Sequence, residues 1–159
     1  MATVPGADYE ARLEKRLRRD FPVYDFVGLK VRSARDGIYR CFVPYRESNM
    51  NHINTIHAGI QWSAAEVVGG VVIMSLFEGT AVFAVVKDVS IEFKRPARSG
   101  ITVEASCDAA TAERVVSDFE REGESGLSLH VVVLDEDGVE VAAADANYLI
   151  RKPREGKPK

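Results

Sequence analysis

The stretch that decides the fold runs from Ala58 to Phe77 and reads AGIQWSAAEVVGGVVIMSLF. It has the length of a helix, and beyond Glu66 it is apolar on almost every side, so it should be buried all round. The pair Gly69-Gly70 in its middle costs about 1 kcal/mol per glycine relative to alanine. We therefore expect another part of the chain to approach the helix backbone closely at this pair. Glu78-Gly79 should end the helix, because glycine is favoured just past a helix end.

A shorter helix and two strands are predicted before this central helix. Tyr9, Leu13 and Leu17 repeat at i, i+4 and i+8, which predicts an amphipathic helix over about residues 8–19. Alternating apolar residues then predict strands over 27–32 and 38–45. Asp36-Gly37 lies between the two strands and indicates a tight hairpin turn, because such turns need positive φ.

Four strands and one more helix are predicted after the central helix. The strands cover 85–93, 101–107, 127–134 and 139–151, and the helix covers 110–122. The first of these strands is expected to carry Val85, Lys87, Val89, Ile91 and Phe93 on one face. A helix that is apolar all round is best buried by a curved sheet. We predict an α+β fold, a single domain over residues 1–159, with about six mostly antiparallel strands wrapped around the long helix.

Composition and charge exclude several classes of function. The chain has 159 residues, of which 21 are Lys or Arg and 24 are Asp or Glu, so its formal net charge is −3. This balance argues against a nucleic-acid-binding body. The basic residues cluster near the two ends, including a tail at 152–159, and we interpret them as solvated surface. The most apolar run, Val67 to Phe77, falls short of the roughly 20 residues that cross a bilayer, so no membrane insertion is expected.

The two cysteines and the N-terminus favour a reducing compartment. Cys41 and Cys107 are interpreted as small apolar residues, because a chain of this length can bury a core without a disulfide. The first residues carry a basic helical pattern where a signal peptide would need an apolar segment. A cytoplasmic location is therefore expected.

Polar residues directly before the central helix suggest a site for chemistry. Asn51 and His57 lie in a polar loop, and Ala58 and Gly59 are too small to block access to the N–H groups at the helix start. Such N–H groups, with the helix dipole behind them, suit an oxyanion or a polarised carbonyl. Glu66 lies eight residues past Ala58, about 12 Å along the helix. If the two cooperate, Glu66 must reach the helix start of a second copy, which predicts an active dimer.

These residues and the order of elements resemble the hotdog-fold acyl-CoA thioesterases, in particular the phenylacetyl-CoA thioesterase-like branch, over roughly residues 25–151. The resemblance implies a homodimer or a dimer of dimers that hydrolyses an acyl-CoA or acyl-carrier thioester to an acid and a thiol. It implies no metal and no cofactor, since coenzyme A is part of the substrate. By the same resemblance, Asn51 positions a water or the thioester, His57 matches the loop histidine, Ala58 stands where many relatives have a glycine that donates to the oxyanion, and Glu66 is the nucleophile or general base. The N–H of Gly59 is a further candidate donor at the same helix start.

Two positions depart from the pattern of those relatives. Asn54 stands where many have glycine, and Val86 stands where some have a Ser or Thr that orients the attacking water. Three further residues are candidate substrate contacts. Lys87 is expected beside Glu66, where its charge would keep the carboxylate ionised, Trp62 is a candidate pocket wall, and Arg95 could contact coenzyme A phosphates.

Several alternatives stay open from the sequence. The protein could be a non-catalytic module that binds acyl-CoA or acyl lipid, or a hotdog hydratase or dehydratase. His52, His57 and Glu66 have ligand types suited to zinc but no recurrent metal spacing. On a purely structural interpretation, Glu66 is a rim residue, Asn51 is a turn residue that bonds its own backbone, and His57 holds the helix start by donating to a loop carbonyl.

Overall fold

The computed structural model describes residues 8–154 and contains one six-stranded antiparallel sheet packed around a long helix. The elements in chain order are α1 (Asp8–Asp20), α2 (Pro22–Val27), β1 (Lys30–Arg35), β2 (Ile38–Val43), a 3₁₀ turn (Glu47–Asn49), α3 (Ala58–Leu76), β3 (Phe83–Phe93), β4 (Ile101–Ser106), α4 (Ala109–Glu122), β5 (Glu124–Leu134) and β6 (Glu140–Arg151). Of the basic tail expected at 152–159, residues 155–159 lie outside the described residues.

The sheet wraps α3 as the apolar composition of that helix requires. Its strand order is β1-β2-β4-β5-β6-β3, and α3 contacts all six strands. Val68, Val71 and Val72 of α3 are fully buried in the resulting core. The predicted α+β fold is therefore confirmed. By length and composition α3 could also cross a membrane, but half of it is buried in the core, so no membrane insertion is indicated.

Turn residues fix the ends of several elements where the sequence predicted them. Asp36 and Gly37 have φ values of 57° and 73°, the left-handed region that a tight hairpin needs. The Asp108 side chain accepts a hydrogen bond from the Thr111 N–H and caps α4. Gly123 has a φ of 78° and ends the same helix.

The strand predicted over 27–32 is wrong in its first half. Pro22 begins the second helix, α2, because proline has no N–H to lose in the first turn of a helix and its φ is preset there. Gly28, with a φ of 72°, ends α2 after only six residues, and β1 starts at Lys30. The alternation of Val27 and Leu29 thus spans a helix end and a short connection.

The face predicted for β3 is wrong before Lys87, where a bulge interrupts the strand, whereas Val89 and Ile91 face the core together as predicted. Val86 pairs with Tyr148 and Asp88 pairs with Asn147, so Lys87 is the extra residue. The bulge reverses the alternation, and Val86 packs against the core together with Val89. Lys87 itself is exposed.

The Gly69-Gly70 pair behaves differently at its two positions. A Cβ at Gly69 would lie 2.1 Å from Cζ of Tyr148, so the close approach expected from the sequence is the ring of this tyrosine. A Cβ at Gly70 would meet nothing within 4 Å. The helix therefore needs a glycine at Gly69 for packing, whereas nothing in residues 8–154 requires one at Gly70.

Candidate active site

The first turn of α3 leaves one backbone N–H free. His57 is the N-cap residue, and its Nδ1 accepts a hydrogen bond of 2.9 Å from the N–H of Gly59. The N–H of Ala58 has no partner within residues 8–154, and Ala58 is exposed. His57 thus holds the helix start, as one interpretation of the sequence expected, although it accepts from Gly59 instead of donating to a loop carbonyl. It also occupies the N–H of Gly59, which leaves Ala58 as the accessible donor.

The loop before α3 is organised by Asn51. The Oδ1 atom of Asn51 accepts from the N–H groups of Ile53 and Thr55, both at 3.1 Å, and its Nδ2 donates to Oγ1 of Thr55 at 2.8 Å. Asn54 has a φ of 57°, so it adopts the left-handed conformation that glycine favours. The described hydrogen bonds of the Asn51 side chain therefore shape the loop, and the departure at Asn54 does not prevent the backbone from adopting a glycine-like conformation.

Glu66 lies in the middle of a partly exposed stripe of α3, and its carboxylate is held from one side. The hydroxyl of Tyr24, on α2, donates to Oε2 of Glu66 at 2.6 Å. The other carboxylate oxygen has no partner within the described residues. Burial raises the pKa of Glu66, and the hydrogen bond from Tyr24 opposes that rise. The arrangement suits a carboxylate that accepts and returns a proton during a reaction.

A second buried tyrosine supports the same residue through its backbone. The hydroxyl of Tyr148 donates to the carbonyl oxygen of Glu66 at 2.6 Å, and its ring covers Gly69. Burial, together with the nearby Glu66 carboxylate, raises the pKa of both Tyr24 and Tyr148, so both hydroxyls remain protonated donors. Neither tyrosine is predicted as a site residue from the sequence. They lie 42 and 82 positions from Glu66, and no local motif connects residues at such separations.

The predicted substrate contacts Arg95, Trp62 and Lys87 lie in different surroundings. Arg95 is exposed and lines a shallow cavity of about 320 Å³ that Asn51 and Ala58 also line. Trp62 is 37% exposed, and its Nε1 lies 3.4 Å from the carbonyl oxygen of Val89. Lys87 is exposed, and within residues 8–154 no contact between it and Glu66 is described, so its expected place beside Glu66 stays a prediction. Val86 is half-buried against the core and offers no hydroxyl.

No metal site is assembled in the part of the chain that the structure describes, since no group of three or more His, Cys, Asp and Glu side chains is close enough to hold an ion. His52, His57 and Glu66 are therefore not brought together as ligands.

The polar loop and Ala58 form one part of the candidate site, and Glu66 with Tyr24 forms the other. Ala58 and Glu66 are eight residues apart on the same helix, about 12 Å along its axis.

Comparisons with known proteins agree with this architecture. A family model described as "Domain of unknown function (DUF4442)" matches residues 10–150. A protein of Halobacterium salinarum named "Putative esterase VNG_1336C" is 31% identical over 104 residues, which cover 63% of this chain and 69% of that protein.

Two solved structures share the fold. PA5026 of Pseudomonas aeruginosa, described as a "Probable Thioesterase", is 28% identical with a TM-score of 0.79, covering 90% of this chain and 96% of its own. Thioesterase HI1161 of Haemophilus influenzae is 13% identical with a TM-score of 0.70, covering 93% and 94%. At that identity, HI1161 bears on the fold alone. With the wrapped helix, these matches show that the chain belongs to the DUF4442 family and is a hotdog-fold, thioesterase-like protein.

Proposed function

We propose that the protein is a thioesterase that hydrolyses an acyl-CoA or acyl-carrier thioester at sites shared between two subunits. The observation that carries the proposal is the pairing on one helix of a free N–H at Ala58 with a half-buried carboxylate at Glu66. These are the two groups that acyl transfer to water needs: a donor for the developing oxyanion and a base for the water. The thioesterase-like relatives support the same reaction class.

In the proposed reaction, the carbonyl oxygen of the thioester accepts a hydrogen bond from Ala58. Glu66 of the partner subunit removes a proton from water as the water oxygen attacks the carbonyl carbon. The tetrahedral intermediate then collapses, the C–S bond breaks, and the leaving thiolate takes the proton back from Glu66. Direct attack by the Glu66 carboxylate is the other route open to the same residue.

The edge of the sheet supports the shared site. β3 is the last strand in the sheet order and pairs only with β6 among the described strands. Phe83 and Phe93 at its two ends are 58% and 47% exposed, and Trp62 lies beside it. A long edge strand with exposed aromatic side chains favours pairing with another copy. A dimer formed along β3 would bring two α3 helices to the same side of one continuous sheet.

One set of observations favours a second candidate, a binding module without efficient hydrolysis. The described hydrogen bonds of the Asn51 side chain stay inside the loop, the N–H of Gly59 is capped by His57, and Val86 supplies no hydroxyl to orient water. Such a protein would bind acyl-CoA saturably and release no thiol.

The test is thiol release from acetyl-, octanoyl-, palmitoyl- and phenylacetyl-CoA by the wild-type protein and the Glu66→Gln variant. Gln keeps the shape of the side chain but cannot act as a base, so the rate should fall by about 10²–10⁴-fold. Glu120→Gln, on the exposed surface of α4, is the matched control and should keep the wild-type rate. Normal turnover by Glu66→Gln would refute the assignment, and saturable binding with no turnover by the wild type would establish the binding module.

The shared site has its own test through Ala58→Pro. Proline fits the first position of a helix and lacks the N–H, and His57 before it has φ −58° and ψ 138°, a conformation that proline tolerates. Ala58→Pro should therefore fold and lose turnover. Mixing Ala58→Pro and Glu66→Gln subunits should restore activity, because each mixed dimer contains one site with both groups intact. No recovery after proven subunit exchange would contradict the shared site.

A further inference from the structure

A groove of about 1150 Å³ lies at the opposite end of α3 from Ala58. It is bounded by α1, the end of α3, the start of β3 and the residues after β6, and it does not include Glu66. Met74 in its wall is eight residues beyond Glu66 on α3, about 12 Å along the axis. The groove is as large as pockets that hold ligands of drug size or more.

The floor of the groove is apolar and fixed in place. Leu13 of α1 and Phe77 after α3 are buried, and the Phe77 ring packs edge-on against Phe119 with 4.9 Å between the centroids. Val82 is half-buried against the core. A floor built from side chains anchored in this way is available to an apolar ligand without rearrangement.

The groove also carries positive charge in excess. Among the described residues, one acidic side chain, Glu78, lines it, against five basic residues: Arg12, Arg16, Arg151, Lys152 and Arg154. Three of the five form ion pairs: Arg12 with Asp8, Arg16 with Asp20, and Arg151 with Glu124. Lys152 and Arg154 form none within residues 8–154, so their charges are available to a ligand.

We propose that this groove binds a single-chain amphiphile with an anionic head, its hydrocarbon chain on the apolar floor and its carboxylate or phosphate at Lys152 and Arg154. The apolar floor selects the chain, and the uncompensated cations select the sign of the head group. A fatty carboxylate is also the acid released from a long-chain thioester. Binding in the groove nevertheless needs neither Glu66 nor hydrolysis, so the inference stands apart from the proposed reaction.

Calorimetric titration of the full chain with myristate, myristyl phosphate and myristyl alcohol, each below its aggregation concentration, tests the proposal. We expect saturable binding of at least one anion and binding at least tenfold weaker for the alcohol. The preferred anion identifies the head group as carboxylate or phosphate. No saturable binding of either anion, or equal binding of the alcohol, would overturn the proposal.

Three variants locate the bound ligand. The double variant Lys152→Glu/Arg154→Glu should weaken anion binding at least tenfold, whereas Lys30→Glu/Arg98→Glu, with the same charge change on exposed residues outside the groove, should leave it unchanged. Ala81→Trp places a bulky ring at an exposed position of the lining and should abolish binding. Equal weakening by both charge reversals, or full binding by Ala81→Trp, would contradict the groove as the site.

Glu66→Gln separates this proposal from the proposed function. The variant should bind the anion with the affinity of the wild type even where its hydrolysis is lost. If Glu66→Gln abolishes anion binding, the ligand occupies the candidate active site and the groove proposal fails. If the wild type binds the anion but hydrolyses no thioester, the groove proposal stands and the proposed function fails.

Discussion

The two sides of α3 have opposite properties, although they belong to the same nineteen-residue helix. The side turned to the sheet is fully packed: Tyr148 fills the space above Gly69 and donates to the backbone carbonyl of Glu66. The other side is a partly exposed stripe, consisting of Gly59, Ser63, Glu66, Gly70 and Met74, which we call the open stripe. Packing alone explains the residues of the first side. Packing does not explain the half-buried carboxylate of Glu66 or the glycine at Gly70 on the second side. We therefore expect the functional residues of α3 on the open stripe.

The largest effect is expected on the packed side, from Gly69→Ala. The new Cβ would lie 2.1 Å from the buried ring of Tyr148, which must move and lose its hydrogen bond to Glu66. Overpacking of this kind costs about 1–3 kcal/mol, and the lost hydrogen bond adds to that cost. Urea unfolding monitored by circular dichroism should show a clear drop in the midpoint. An unchanged midpoint would show that the contact between the two residues is not tight.

A smaller effect is expected from Tyr24→Phe, which removes the hydrogen bond to Glu66 of the open stripe and should show in the pH profile. The hydrogen bond from Tyr24 lowers the pKa of Glu66 against the rise caused by burial, so its loss should raise that pKa further. A base works only when ionised, and the acidic limb of kcat/KM should therefore move to higher pH. Activity should approach the wild-type value once the pH exceeds the new pKa.

Tyr148→Phe is the matched control for this shift. It removes a hydroxyl of the same type, but one that donates to the backbone carbonyl of Glu66 and not to its carboxylate. It should lower stability by about 1 kcal/mol and leave the acidic limb nearly in place. Equal shifts in the two variants would mean that Tyr24 acts through general packing.

The sequence predicted the packed side of α3 better than the open stripe. Apolar composition and length predicted the helix and the curved sheet, and Gly69 predicted a close neighbour without identifying Tyr148. The bulge at Lys87 could not be predicted, because an extra residue in a strand leaves no periodic signal. A regular strand would place Lys87 on the core face, so the sequence predicts this lysine as the partner of Glu66. The partner observed is Tyr24, 42 positions away on a helix of six residues that the pattern did not reveal.

The sharpest test of the comparison is Gly70→Ala, which is expected to raise stability slightly. A Cβ at Gly70 meets no atom of the described residues within 4 Å, and alanine is favoured over glycine inside a helix by about 1 kcal/mol. The variant should therefore unfold at a slightly higher urea concentration than the wild type, whereas Gly69→Ala unfolds at a lower one. If the open stripe receives substrate or a partner subunit, the same methyl group should reduce thioester turnover while the fold gains stability. A variant that gains stability and keeps full turnover would show that the space beside Gly70 is not used. A loss of stability comparable to that of Gly69→Ala would show that the two sides of α3 do not differ as described.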